Sequence, residues 1–121
     1  MITIYTRGWI SASHRLNLPY DSKCRREHGH NYKVEIWVEG TRNENGMVVD
    51  FADLKEILKS LDHQNLNDFL PQPTAENLAI YIANAVKSIR RDVTVTVRVW
   101  ETHNNYAEVY LSNKRDDNES K

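Results

Sequence analysis

The stretch HGHNYKVEIWVE, residues 28–39, decides the fold. His28, His30, Tyr32, Val34, Ile36 and Val38 share one parity, while Asn31, Lys33, Glu35, Trp37 and Glu39 share the other. Only a backbone that turns successive side chains to opposite faces separates these two sets, so the stretch reads as a β-strand with one apolar face. Residues 2–16 repeat the pattern, with Ile2, Ile4, Thr6, Gly8, Ile10, Ala12, His14 and Leu16 set against Tyr5, Arg7, Trp9, Ser11, Ser13 and Arg15. Residues 18–27 have no period and several turn formers, with Cys24 near the end, so they read as the loop that lets the two strands pair.

Beyond Gly40 and the turn-forming residues 43–46 (NENG) the period changes. Phe51, Leu54, Ile57, Leu58 and Leu61 recur at spacings of three and four, which predicts an amphipathic helix capped by Asp50 and ending near Asp62-His63. A loop with Pro71 and Pro73 leads to Thr74, the expected N-cap of a second helical stripe made by Leu78, Tyr81, Ile82, Ala85, Val86 and Ile89. Val93, Val95, Val97, Val99 and Glu101 then alternate with Thr94, Thr96, Arg98 and Trp100, and Ala107, Val109 and Leu111 follow Asn104-Asn105 as the second arm of a hairpin.

The order is ββααββ, an α+β domain over residues 1–112 with a four-stranded antiparallel sheet and two helices on one face. Residues 113–121 (NKRDDNESK) are polar and are expected to form a disordered tail. Such a sheet has an uncovered face and two open edges, which predicts self-association, with Trp9 and Trp37 on the polar parity as candidate contact residues.

Composition excludes several classes of function. The 121 residues carry 16 basic and 17 acidic side chains, a net charge of -1, so no charge excess favours nucleic acid or an anionic membrane. No apolar run approaches the roughly 18 residues of a membrane span, and the N-terminus lacks a signal-like basic and hydrophobic sequence. A soluble cytoplasmic protein is expected. The single cysteine, Cys24, excludes an intrachain disulfide framework.

The chemistry-bearing residues gather at the strand ends. His28 and His30 project from one face about 7 Å apart at Cα, and His14 has matching parity on the neighbouring strand. Three imidazoles with a vacant fourth position suit a catalytic zinc ion, whereas structural sites fill all four positions. The competing reading is a chance H-x-H on a half-exposed strand; the third histidine favours the metal. Cys24, flanked by Lys23, Arg25 and Arg26, is open to three readings: fourth ligand, activated thiolate or inert small hydrophobe. Asp62-His63 reads either as an oriented acid/base pair or as an ordinary helix end. Glu101 extends an apolar strand face, where a carboxylate needs a donor pair from a ligand or from an arginine.

These motifs together resemble the 6-pyruvoyl-tetrahydropterin synthase family, which includes the 6-carboxy-tetrahydropterin synthases of 7-deazaguanine biosynthesis. The resemblance rests on Ala12-Ser13-His14, Cys24-x3-His28-Gly29-His30-Asn31-Tyr32, Gly46-Met47-Val48-Val49-Asp50-Phe51, Leu61-Asp62-His63-Gln64-Asn65-Leu66-Asn67, Pro73-Thr74-Ala75-Glu76-Asn77 and Glu101-Thr102. It implies the T-fold, whose sheets close into a barrel in a trimer or a dimer of trimers. It also implies Zn2+ on His14, His28 and His30, Cys24 as catalytic base, Asp62 and His63 as a proton relay, Glu101 as anchor for the pterin's guanidine edge, and Thr74 in the pocket wall.

The implied substrate is 7,8-dihydroneopterin triphosphate. The short C-x3-HGH spacing resembles the 6-carboxy branch, which releases triphosphate and acetaldehyde, while Glu101-Thr102-His103-Asn104-Asn105 is closer to the pyruvoyl branch, which eliminates triphosphate only. A non-catalytic zinc-containing module that binds a pterin or purine is the alternative from another class.

Overall fold

The computed structural model describes residues 1–20 and 28–113. Strand β1 (Ile2–His14) pairs antiparallel with β2 (His28–Gly40) along its whole length, from Ile2 opposite Gly40 to His14 opposite His28. β3 (Thr94–Trp100) joins the other side of β2, and β4 (Tyr106–Leu111) closes the order β1-β2-β3-β4. Two helices, α1 (Phe51–Leu61) and α2 (Ala75–Ile89), intervene between β2 and β3. The expected ββααββ order and antiparallel sheet are both present.

The caps follow from the residues that stand there. Asp50 accepts the amide of Ala52 at 2.9 Å and Thr74 Oγ1 accepts that of Asn77 at 3.1 Å, each satisfying an N–H that the first turn leaves without a partner. Helix α1 runs on to Leu61, and His63 two residues later has φ 60, a left-handed conformation that an L side chain adopts at a cost of about 1 kcal/mol.

The core lies between the sheet and the helices. Ile10, Tyr32, Val34, Ile36, Val38, Val95, Val97 and Val99 on the sheet pack with Leu54, Leu58, Leu78, Ile82 and Val86 on the helices, all buried. At Gly8 a Cβ would stand 2.9 Å from Leu58 Cδ1, so the missing side chain is what lets α1 settle on β1. The far end of α2 is held by cations: the Arg90 guanidinium donates to the carbonyls of Thr41 at 2.7 Å and Val48 at 2.9 Å, and the Lys87 ammonium donates to those of Arg91, Val93 and Ser112.

Among the described residues the sheet's other face carries no helix, and it is not bare polar surface. Glu35, only 9% exposed, accepts Tyr5 Oη–H and Trp100 Nε1–H, each at 2.7 Å, with Arg98 Nη1 4.0 Å away. Burial pushes its carboxyl up, but the bonds from Trp100 and Tyr5 and the charges of Lys33 and Arg98 outweigh that and hold it below its ordinary value. Arg98 bonds Glu108 at 2.8 Å and lies over the rings of Trp37 and Tyr106. Trp9, at the same parity as Tyr5, is 62% exposed.

Candidate active site

The last rungs of β1 and β2 bring the histidines together. His14 is fully buried, and its ring centroid lies 5.1 Å from that of His30, whose β1 neighbour in the register is Ala12. Glu101, one residue beyond β3, reaches the same place. His14, His30 and Glu101 each offer one ligand atom, and these atoms all lie within 4.8 Å of one another. Donors on a tetrahedral zinc at about 2.1 Å stand about 3.4 Å apart, so the group lies in the range that a shared ion could draw together.

This grouping brings in Glu101, which the sequence reading kept apart from the three histidines. Glu101 was expected on the buried face of β3; it lies instead half-exposed in the turn after the strand, where its amide donates to the Asn105 carbonyl at 2.9 Å. The strand ends at Trp100, so the apolar alternation does not carry the carboxylate into the core. The backbone of His28 pairs with that of His14, as the parity argument required, while its side chain lies outside the described residues, as does Cys24.

The protonation of His14 can be read from its neighbours. Nδ1 lies 2.9 Å from the carbonyl oxygen of Pro73 and 2.8 Å from the hydroxyl of Tyr32. A carbonyl only accepts, so Nδ1 carries a proton, which leaves Nε2 as the nitrogen that a metal would take while the other is anchored. The donor chemistry therefore fits a zinc ion.

Asp62 and His63 are brought to the same end of β1 by the backbone. The amide of Ser11 donates to Asp62 Oδ1 at 2.8 Å, the amide of His63 donates to the Ser11 carbonyl, and Ser13 donates to the Gln64 carbonyl at 3.1 Å. Asp62 Oδ2 is then 3.6 Å from His63 Nε2, and the His63 side chain is 80% exposed. A 3-10 turn, Leu66–Asp68, follows.

Two side-chain amides continue the contact. Asn67 accepts the amide of Arg15 and donates to its carbonyl, and Gln72 does the same for Asn17, all at 2.8 to 2.9 Å. Residues 62–74 are thus laid along residues 11–17, which delivers the Pro73 carbonyl to His14 and Thr74 beside it. The sequence reading placed Tyr32 on the histidine face without assigning it a role. It missed Pro73, whose contribution is a backbone oxygen, and the amide pairs, which have no periodic signature.

A groove of about 270 Å³ lies elsewhere, on the helix-free face between Thr3, Trp37, Arg98 and Tyr110. It contains none of the histidines.

The chain and its fold also match known proteins. The family model described as 6-pyruvoyl tetrahydropterin synthase matches residues 3–112. A Pyrococcus abyssi protein with the provisional name 6-carboxy-5,6,7,8-tetrahydropterin synthase is 37% identical, over 92% of this chain and 91% of its own. The human 6-pyruvoyl tetrahydrobiopterin synthase is 41% identical over 79% of this chain and 82% of its own. Among solved structures, the 6-pyruvoyl tetrahydropterin synthase of Caenorhabditis elegans superposes with a TM-score of 0.71 at 30% identity, covering 92% of this chain and 96% of that one.

Proposed function

The chain belongs to the 6-pyruvoyl tetrahydropterin synthase family, and from that premise we propose that it is a zinc-dependent 6-carboxy-5,6,7,8-tetrahydropterin synthase. Its substrate would be 7,8-dihydroneopterin triphosphate, converted with loss of triphosphate and acetaldehyde. The observation that carries the metal is the convergence of His14, His30 and Glu101 around a His14 whose anchored nitrogen is Nδ1. In the proposed site His14, His28 and His30 hold Zn2+, and Glu101 at their margin receives the guanidine-like edge of the pterin through paired N–H donors. When bound, the ion supplies a Lewis acid that lowers the pKa of the substrate's side-chain hydroxyls.

The remaining work falls to this chain's own groups. Cys24 acts as a thiolate base on the pterin side chain. The Asp62 carboxylate, fixed through Oδ1 by the Ser11 amide, directs Oδ2 at His63 and stabilises the imidazolium as a proton passes through Nε2. Thr74, whose hydroxyl caps α2, lines the pocket from a rigid helix start. The open edges β1 and β4 are the surfaces by which subunits would close a barrel, as a trimer or a dimer of trimers. The domain is assigned to residues 1–112.

The 6-carboxy outcome is favoured by the Pyrococcus abyssi relative, and elimination of triphosphate alone, giving the 6-pyruvoyl product, by the human one. Incubating the zinc-loaded protein with dihydroneopterin triphosphate, with mass identification of the pterin and an acetaldehyde assay, separates them. Equimolar acetaldehyde and 6-carboxy-tetrahydropterin are expected. A pyruvoyl product without acetaldehyde would reassign the reaction, and stoichiometric binding without any product would make the protein a pterin- or purine-binding module.

A further inference from the structure

Tyr32 is the largest fully buried side chain of the core, and it ends in a hydroxyl. A buried phenol needs a hydrogen-bond partner, and Phe would fill the same volume without that requirement. The hydroxyl lies 2.8 Å from Nδ1 of His14, and the ring stands 6.0 Å from the His14 ring and 5.4 Å from that of His30. The register explains how it arrives there. Tyr32 is opposite Ile10, four residue pairs along the register from the His14–His28 pair, and the intervening β1 residue of the same parity is the small Ala12.

We infer that Tyr32 is a positioning residue for the metal ligand His14: the Pro73 carbonyl selects the Nδ1–H tautomer, and the Tyr32 hydroxyl, accepting from the same N–H, fixes the ring rotation. The inference rests on the zinc reading given above and deepens it. One oxygen alone leaves an imidazole free to swing about that contact, while two oxygens on one ring nitrogen, from β2 and from the loop before α2, fix its plane. The same arrangement ties the pocket-lining loop to the metal site, since Pro73 immediately precedes Thr74.

The test is Co2+ binding to wild-type protein, Tyr32→Phe and His14→Ala, read by chelator competition and by the visible d–d spectrum. Partners of this kind change metal affinity by about 10- to 100-fold. Tyr32→Phe is expected to bind Co2+ more weakly by that factor, with an altered spectrum and an unchanged far-ultraviolet circular dichroism spectrum, while His14→Ala binds far more weakly still. Wild-type affinity and spectrum in Tyr32→Phe overturn the inference and leave the zinc reading standing. No Co2+ uptake by the wild type overturns both.

A second measurement does not depend on the variant folding. Long-range 1H–15N correlation of the metal-free wild-type protein reports the His14 tautomer directly. The Nδ1–H form is expected, and the Nε2–H form overturns the inference.

Discussion

The two faces of β2 enclose their side chains by different means. Toward the helices, Tyr32, Val34, Ile36 and Val38 are fully covered and, apart from the Tyr32 hydroxyl, are held by contact alone. Toward the uncovered face, Glu35 is nearly as enclosed, yet its surroundings are an aromatic and cationic set from three strands: Tyr5, Lys33, Trp100 and Arg98. The first face tolerates loss of polarity but not of volume. The second depends on a charge whose donors are already in place. The difference shows that parity in a strand sorts side chains by face, and that the face without helices is not thereby a solvent face.

Truncation separates the faces most sharply. Ile36→Ala should cost about 2–5 kcal/mol, because a buried aliphatic side chain is replaced by a cavity; chemical denaturation at neutral pH measures it, and a loss below 1 kcal/mol would mean that the helices collapse onto the gap. Glu35→Ala should cost less, about 1–3 kcal/mol, since the Trp100 and Tyr5 donors lose their acceptor in a half-wet setting. Glu35→Gln, keeping an acceptor, should recover part of that loss.

Smaller still is the dependence on pH. The Glu35 carboxyl titrates below its ordinary value in the folded chain, so its charge contributes stability that is fully present above the unfolded pKa of about 4.3 and is lost as pH falls through the folded value. Wild type minus Glu35→Gln stability, measured from pH 7 to pH 3, should therefore shrink only at the acid end; a constant difference would detach the carboxyl's charge from the effect. Tyr5, pushed up by burial and by its bond to Glu35, should lose stability only as the solution is raised through pH 10 and beyond. The least effect is expected from Tyr5→Phe, about 0.5–1.5 kcal/mol, because Trp100 and Arg98 remain to serve the carboxylate.

How much of this was legible in the sequence depended on whether the signal was periodic. The alternation in residues 2–16 and 28–39 gave both long strands and put His14, His28 and His30 on one face, and the Asp50 and Thr74 caps fell where their residue types predict. β3 starts one residue later, and β4 one residue earlier, than the alternation suggested, a difference at strand ends that periodicity does not resolve. Glu101 was misplaced for the same reason, since alternation cannot say where a strand stops. The burial of Glu35 was not legible because its donors, Tyr5 and Trp100, are far from it in sequence, and Pro73 was invisible because a carbonyl oxygen belongs to every residue type. Among the described residues no helix is long and apolar enough to cross a membrane.

The side-chain amides of Asn67 and Gln72 have a consequence for how this chain can meet another. In β1 the odd-numbered residues direct their backbone groups away from β2, and from Ser11 to Asn17 those groups are already engaged by Asp62, His63, Gln64, Asn67 and Gln72. A strand from a neighbouring molecule that extends the sheet at this edge can use only the rungs at Thr3, Tyr5, Arg7 and Trp9. The occupied rungs act as a stop, so an incoming strand has one end of its register set before any side chain is compared, and the histidine end of β1 is kept clear of it.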